Sequence, residues 1–142
     1  MTLRSIEIAR AIGRGAHRAM RFGRAVVTAP PIARPGYWIA TGGALAWATA
    51  LGGSVERLGS LRVATGLPQW AFGRGGTCVG GVYLTDSNVT DDVLAHEAVH
   101  QEQWRTYGLA FIPLYFAAGQ DATKNRFEIE AGLERGGYRR AR

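Results

Sequence analysis

The segment His96-Glu97-Ala98-Val99-His100 holds two histidines four residues apart, inside a stretch that carries strong helix signals. Thr90 suits the N-cap position, and Asp91 and Asp92 fall in the first turn, where the helix dipole favours acidic side chains. The apolar residues that follow keep a helical spacing, so we predict a helix from Asp91 to about Thr106. Both imidazoles then project from one face of that helix, one turn apart.

This spacing allows His96 and His100 to hold one metal ion between them. Glu97 lies beside the first histidine but is angled away from the metal direction, so its carboxylate can accept a proton from water at the metal without being a ligand. The pattern is that of zinc metalloproteases, and it predicts Zn²⁺ as the cofactor. The alternative is a packed or solvated helix face without a metal. The well-capped helix, with two of the chain's three histidines, favours the metal site.

A catalytic zinc site has three protein ligands and one open position. No histidine follows His100, so the third ligand is expected among the downstream acids, with His17 as a remote alternative. The candidate acids are Glu102, Asp121, Glu128, Glu130 and Glu134. Glu102 comes only two residues after His100 and therefore points to the wrong side of the helix.

The last helix is predicted over roughly residues 122–135, with Gly136-Gly137 as its stop. Glu130 and Glu134 continue a charged stripe that is typical of an exposed helix face. Glu128 lies off that stripe and shares a face with the small residues Ala131 and Gly132, which would allow close approach to the histidine helix. Glu128 is therefore the favoured third ligand.

These motifs resemble the gluzincin branch of the zincin metallopeptidases, in which the two-histidine motif is followed by a glutamate ligand on a second helix, often within Glu-x-x-Ala-Asp. Residues Glu128-Ile129-Glu130-Ala131 match the first four positions, whereas Gly132 replaces the aspartate that would support the first histidine. The stretch from Thr77 through Gln103 is also similar to minimal zincin domains of small bacterial proteins. The resemblance covers about Leu61 to Tyr138.

The resemblance implies that a strand from Val79 to Thr85 is the edge strand that binds extended peptide by strand addition, although an ordinary core strand is an equal alternative. It also implies a tyrosine that stabilises the oxyanion. Tyr107, Tyr115 and Tyr138 are each candidates, and Tyr138 is favoured because it follows the ligand helix directly.

The pattern of helices and short strands predicts an α+β fold: a small zincin-like domain with a short antiparallel sheet packed on the histidine helix and a C-terminal ligand helix. Short apolar runs separated by glycine indicate the strands, at residues 61–65, 69–72 and 77–85. Residues 1–36 are expected to form a basic amphipathic helix, from Thr2 to about Val26, followed by a linker over residues 28–36. Residues 37–142 would form the zincin-like metallopeptidase domain.

The segment from Tyr37 to Val55 carries no charge over 19 residues. That length could cross a bilayer, but the segment has four glycines and few strong aliphatic residues. A buried helix or helical hairpin of the core is therefore the favoured interpretation.

The formal net charge is +6, but Arg74 and Arg105 are the only lysines or arginines between Thr65 and Asp121. The middle of the chain therefore does not suit nucleic acid. Cys78 is the single cysteine, so no intrachain disulfide can form and nothing demands an oxidising compartment. We expect a cytoplasmic chain whose N-terminal arginines could also contact a membrane surface.

The sequence thus predicts a zinc-dependent hydrolase acting on a peptide or protein, with His96, His100 and Glu128 as ligands and Glu97 as general base. The alternative is a catalytically inactive binding or structural module that zinc stabilises. Replacement of Glu97 separates the two hypotheses, because only the enzyme needs its carboxylate.

Overall fold

The computed structural model describes residues 20, 21 and 23–139 and shows four helices and four strands in full. The helices are α1 (Pro30–Ala50), α2 (Asp91–Tyr107), α3 (Phe111–Ala117) and α4 (Arg126–Ala131). The strands are β1 (Ser54–Leu58), β2 (Leu61–Thr65), β3 (Thr77–Val79) and β4 (Val82–Leu84). Short 3-10 turns lie at Gln69–Ala71 and Gly108–Ala110. The α+β fold class is confirmed.

The four strands form one mixed sheet in the order β1-β2-β4-β3. Two antiparallel hairpins, β1/β2 and β3/β4, are joined by the parallel pair β2/β4. The sheet is thus not wholly antiparallel, because the chain crosses over between β2 and β4 through the Gln69–Ala71 turn and β3. β1 is exposed along its whole length, whereas β4 is fully buried in the interior of the sheet.

The prediction of one continuous strand from Val79 to Thr85 is wrong, because the structure has two strands here, β3 and β4. The chain turns at Gly80-Gly81, where Gly80 has a φ of 60° and sits against the backbone of Thr41. A side chain at Gly80 would be both strained and blocked. The edge strand in this region is therefore β3 and not residues 79–85, while β1 forms the other edge of the sheet. The strand expected at residues 69–72 is instead the 3-10 turn.

The linker predicted over residues 28–36 is also wrong, since only Thr28 and Ala29 interrupt the helical structure. Pro30 and Pro31 occupy the first turn of α1, where a missing N–H costs little because it has no partner there. Helix α1 continues past residue 36 without a break, and the domain division at that point stays a prediction. The predicted basic helix lies mostly outside the described residues, although residues 20, 21 and 23–27 are helical.

Helix α1 and the start of β1 account for the uncharged segment 37–55. One face of α1 is buried against the sheet and the turn after α2, and its members are mostly small: Ala33, Gly36, Tyr37, Ala40, Thr41, Ala44 and Ala48. The Thr41 hydroxyl accepts a hydrogen bond from the Gly81 N–H at 2.9 Å and so ties α1 to the β3/β4 hairpin. Among the described residues, none of the helices combines the length and apolar character needed to cross a membrane.

Helix α2 begins and ends close to where the sequence predicts. The Thr90 side chain caps it by accepting from the Val93 N–H, and Gly108, with a φ of 55°, ends it. Two buried side chains fix α2 to the sheet: the Trp104 indole donates to the Cys78 carbonyl at 2.9 Å, and the Gln101 amide donates to the Ser60 carbonyl at 3.0 Å. These bonds hold the histidine face of α2 in one orientation.

The last helix is shorter than predicted. The Asn125 side chain caps α4 by accepting from the Phe127 N–H, and Gly132, at a φ of 100°, ends the helix. The stop expected at Gly136-Gly137 therefore comes several residues earlier, because a glycine at the first position past a helix readily adopts positive φ.

Two glycines of α1 provide a test of how closely α1 packs against the turn at Gly108. A Cβ at Gly36 would lie 2.6 Å from the Leu109 backbone nitrogen, whereas a Cβ at Gly43 would meet nothing within 4 Å. We expect Gly36→Ala to lower the free energy of unfolding by about 1–3 kcal/mol. Gly43→Ala, the matched control, should raise it by about 0.5–1 kcal/mol. Urea unfolding measures both, and equal effects would contradict the close approach of α1 to the Gly108 turn.

Candidate metal centre

The structure brings His96 and His100 of α2 together with Glu128 of α4, and all three are buried. The Nε2 atoms of the two histidines are 3.1 Å apart. The Oε2 atom of Glu128 lies 3.1 Å from Nε2 of His96 and 3.4 Å from Nε2 of His100. These three atoms form a group that could hold one metal ion.

The other ring nitrogen of each histidine has its own partner. Nδ1 of His96 lies 3.0 Å from the carbonyl oxygen of Gly132, and a carbonyl can only accept, so this nitrogen carries the hydrogen. Nδ1 of His100 lies 2.7 Å from Oε1 of Gln103. The Gln103 amide nitrogen donates to the Phe127 carbonyl and to Glu130, which leaves Oε1 to accept from His100.

Because Nδ1 holds the hydrogen in both neutral imidazoles, both Nε2 lone pairs face each other and the Glu128 carboxylate. Three electron-rich atoms this close repel one another unless a proton or a cation lies between them. In a tetrahedral site with zinc–ligand bonds of about 2.0–2.1 Å, ligand atoms stand about 3.3–3.4 Å apart. The observed separations of 3.1–3.4 Å match that spacing. Oε2 of Glu128, moreover, has no hydrogen-bond partner among the described residues.

Glu128 is held as a carboxylate by its surroundings. Burial alone would raise its pKa, but the close contacts of its carboxylate with His100 and His96 and the hydrogen bond from Tyr115 outweigh that effect and hold the pKa well below its usual range. The Tyr115 hydroxyl donates to Oε1, the oxygen that does not face the histidines. Tyr115 thus orients Glu128 and leaves Oε2 directed at the two imidazoles.

Glu97 is not a member of the ligand group, although its side chain is buried beside it. Burial raises the pKa of Glu97, and the neighbouring His100 and His96 only partly oppose this rise. Oε2 of Glu97 also lacks a hydrogen-bond partner within the described part of the chain. A buried carboxylate oxygen without a hydrogen-bond partner lowers the stability of the fold. Such groups are more common at binding and catalytic sites than elsewhere.

One cavity of about 480 Å³ is lined by the three candidate ligands, His96, His100 and Glu128, and by Glu97. Its walls include the edge strand β3 on one side and apolar or aromatic side chains of α3, namely Ile112, Tyr115 and Phe116. The candidate metal group therefore does not sit sealed in the core.

The three candidate tyrosines occupy different places. Tyr107 stacks on Phe111 in the core and is absent from the cavity wall. Tyr115 lines the cavity but is engaged with Glu128. Tyr138 lines the cavity with its ring 6.0 Å from that of His96, and burial raises its pKa to about 12, so the hydroxyl stays protonated. The role of Tyr138 as an oxyanion stabiliser stays a prediction.

The other acids lie outside the group. Glu102 is exposed and bonded to Arg105, Asp121 pairs with Lys124, and Glu130 accepts from Gln103. Glu134 is exposed, and His17 lies outside the described residues.

Sequence reasoning missed three supporting contacts. Gln103 stands three residues after His100, so their contact could have been found from helical spacing. The support that Tyr115 gives to Glu128 has no comparable signal, because the two residues meet only in the folded chain. The Gly132 carbonyl supports His96 in place of the aspartate that the resemblance implies. Every residue has a backbone carbonyl, so the sequence does not reveal which one accepts a hydrogen bond from the histidine.

Comparison with known protein families, with curated proteins and with solved structures found no match. The likeness to zincins therefore rests on the site itself: two histidines on one helix and a glutamate on a later helix, meeting in a buried group.

Gln103 offers a test of the centre that leaves the three ligands in place. Gln103→Leu should lower zinc affinity about 10–100-fold, because His100 loses the partner that fixes its ring. His100→Ala should abolish stoichiometric binding. Zinc titration against a competing chelator measures both, with Glu102→Gln as a control from the exposed face of α2. Wild-type affinity in Gln103→Leu would show that the contact of Gln103 with Nδ1 of His100 does not support metal binding.

Proposed function

We propose that this chain is a zinc-dependent peptide hydrolase in which His96, His100 and Glu128 hold the metal and Glu97 is the general base. The observation that carries the proposal is that Oε2 of Glu97 has no hydrogen-bond partner among the described residues, and that Glu97 lines the same cavity as the converging His-His-Glu group. A purely structural zinc site would use four protein ligands and would need no such neighbour.

The donor set supports zinc over other divalent ions. Two imidazole nitrogens and one carboxylate oxygen suit a borderline ion, whereas calcium and magnesium prefer oxygen ligands alone. A zinc ion held by these three protein ligands would have one further position for water or substrate. When bound there, zinc supplies a Lewis acid that polarises a carbonyl and lowers the pKa of water toward neutrality.

In this proposal Glu97 transfers a proton from the attacking water to the departing amine. Its carboxylate takes a proton from the attacking water and returns it to the departing amine. The raised pKa suits both steps, because a base whose pKa lies nearer neutrality also becomes a better acid. Tyr138, protonated in the cavity wall, can donate to the oxygen that becomes negative as water adds.

The edge strand supports a peptide substrate. β3 pairs with β4 on one side only, although on its other side the Cys78 carbonyl already accepts from the Trp104 indole. An added peptide could therefore pair only with the backbone groups that this bond leaves free. Thr77, Cys78 and Val79 also line the cavity, so a peptide added to β3 would pass the metal group. The apolar side chains of α3 would then contact substrate side chains.

Replacing Glu97 by Gln tests the proposal. Glu97→Gln should keep the zinc content and the melting temperature close to those of the wild type, since Glu97 is not a ligand. Hydrolysis of an unstructured, fluorescently labelled protein should fall by about 10²–10⁴-fold, the range for loss of a general base. Glu102→Gln removes an exposed carboxylate from the same helix and should retain activity.

The outcomes separate the proposal from the inactive module. If zinc-loaded wild type cleaves no unstructured protein, the proposed hydrolase is wrong and a zinc-stabilised module stands. If Glu97→Gln loses its zinc as well as its activity, Glu97 belongs to the ligand set and the assigned role is wrong.

A further inference from the structure

Arg74 is the only lysine or arginine among the described residues that line the cavity. It is exposed, and it takes part in none of the salt bridges that the described part of the chain forms. The carboxylates that line the same cavity belong to Glu97 and Glu128. A bound divalent ion would balance those two carboxylates, so the charge of Arg74 would make the cavity positive overall.

The backbone at Arg74 is unusual. Arg74 has a φ of 34°, and among the described residues every other positive φ belongs to a glycine. Glycine adopts this conformation at lower cost, and Gly73, Gly75 and Gly76 surround Arg74. The loop is fixed, because the Thr85 hydroxyl donates to the Gly75 carbonyl at 2.7 Å and the Gly76 N–H donates to the Gly73 carbonyl at 2.9 Å. A long cationic side chain is thus held where glycine would fit more easily, as at many functional sites.

The charge of Arg74 acts on the part of the cavity that holds the candidate metal group. Burial and the charges of Glu128 and Glu97 raise the pKa of Tyr138, and the positive charge of Arg74 partly opposes this rise. Interactions between charges weaken with distance and with exposure to solvent. The guanidinium is therefore within electrostatic reach of a molecule bound beside the metal group.

Another part of the cavity wall is apolar. Ile112 and Phe116 stand four residues apart on α3, so they share a face of that helix. Both line the cavity, yet 45% of the surface of Ile112 and 63% of that of Phe116 is accessible. Accessible apolar side chains in a cavity suit an apolar group of a ligand.

We propose that Arg74 binds a carboxylate of the substrate, and that the cavity takes a peptide in which this carboxylate lies near a bulky apolar side chain. A guanidinium pairs with a carboxylate through two parallel hydrogen bonds. The apolar side chain would contact Ile112 and Phe116. The carboxylate is either the C-terminal group of the peptide or the side chain of an aspartate or glutamate. This inference rests on the proposed function, because it names the substrate class of the same site.

Peptide binding tests the inference without turnover. The full, zinc-loaded chain with Glu97→Gln is the parent protein, because the proposed hydrolase would cleave peptides very slowly there. Four rhodamine-labelled peptides differ only in a glutamate or glutamine beside a leucine, and in a free or amidated C-terminus. Fluorescence anisotropy should show tighter binding of the peptides that carry a carboxylate. The pair of peptides that differs in affinity identifies which carboxylate is bound.

Adding Arg74→Gln to the parent should weaken the binding of the carboxylate-bearing peptides about five- to tenfold. The peptide with glutamine and an amidated C-terminus should bind as before. Arg57→Gln is the matched control, because Arg57 is an exposed arginine of β1 that does not line the cavity. Equal weakening for all four peptides, or no weakening for any, would overturn the inference.

Arg74→Gly keeps the test independent of folding. Glycine suits the positive φ at this position, so the variant should melt close to the temperature of the wild type. It should lose the same affinity for carboxylate-bearing peptides as Arg74→Gln. Wild-type affinity in a folded Arg74→Gly chain would contradict the role of the guanidinium.

Hydrolysis separates this inference from the proposed function. If the wild type cleaves the peptides, Arg74→Gln should raise KM for those with a carboxylate much more than it lowers kcat. An equal loss of kcat with every peptide would assign Arg74 to the reacting carbonyl and overturn the inference. If the wild type cleaves nothing but the selective binding persists, the hydrolase is wrong and the carboxylate site at Arg74 stands.

Discussion

The convergence of two imidazole nitrogens and one carboxylate oxygen in a buried position is the constraint on which the functional part of this molecule depends. Each imidazole has its second nitrogen fixed, by Gly132 or by Gln103, so the free lone pairs cannot turn away. Tyr115 fixes the carboxylate in the same manner. Brought this close without a cation, the three atoms would lower the stability of the fold. A bound divalent ion would turn the same geometry into a net contribution to stability.

The rest of the fold serves to hold these groups still. Trp104 and Gln101 join α2 to the sheet, and α1 packs through small residues against the turn that ends α2. The segment after α4 completes the support. A Cβ at Gly136 would lie only 2.6 Å from the His96 ring, so this backbone covers the histidine directly. Sites built on packed helices vary less in geometry than sites on loops, and a ligand set needs that precision.

The sequence predicted the centre better than its surroundings. His96, His100 and Glu97 follow from helical spacing, and Glu128 from the contrast between a charged stripe and a face of small residues. Each of those patterns lies within one predicted helix, so it can be read from a single sequence without knowledge of the fold. The parallel β2/β4 pair and the edge position of β3 depend on how distant segments meet, which spacing does not encode. The helix through Pro30, Pro31 and Pro35 was missed for a different reason. Prolines usually break helices, but two of these occupy the first turn, where they are tolerated.

The central claim concerns where an ion would bind, and anomalous diffraction at the zinc absorption edge tests it most directly. Crystals of the wild-type chain grown with zinc should show one strong peak, at about 2.0–2.2 Å from Nε2 of His96, Nε2 of His100 and Oε2 of Glu128. Glu97 should lie outside that shell. A peak elsewhere, or zinc-saturated crystals in which these three atoms hold no ion, would contradict the account.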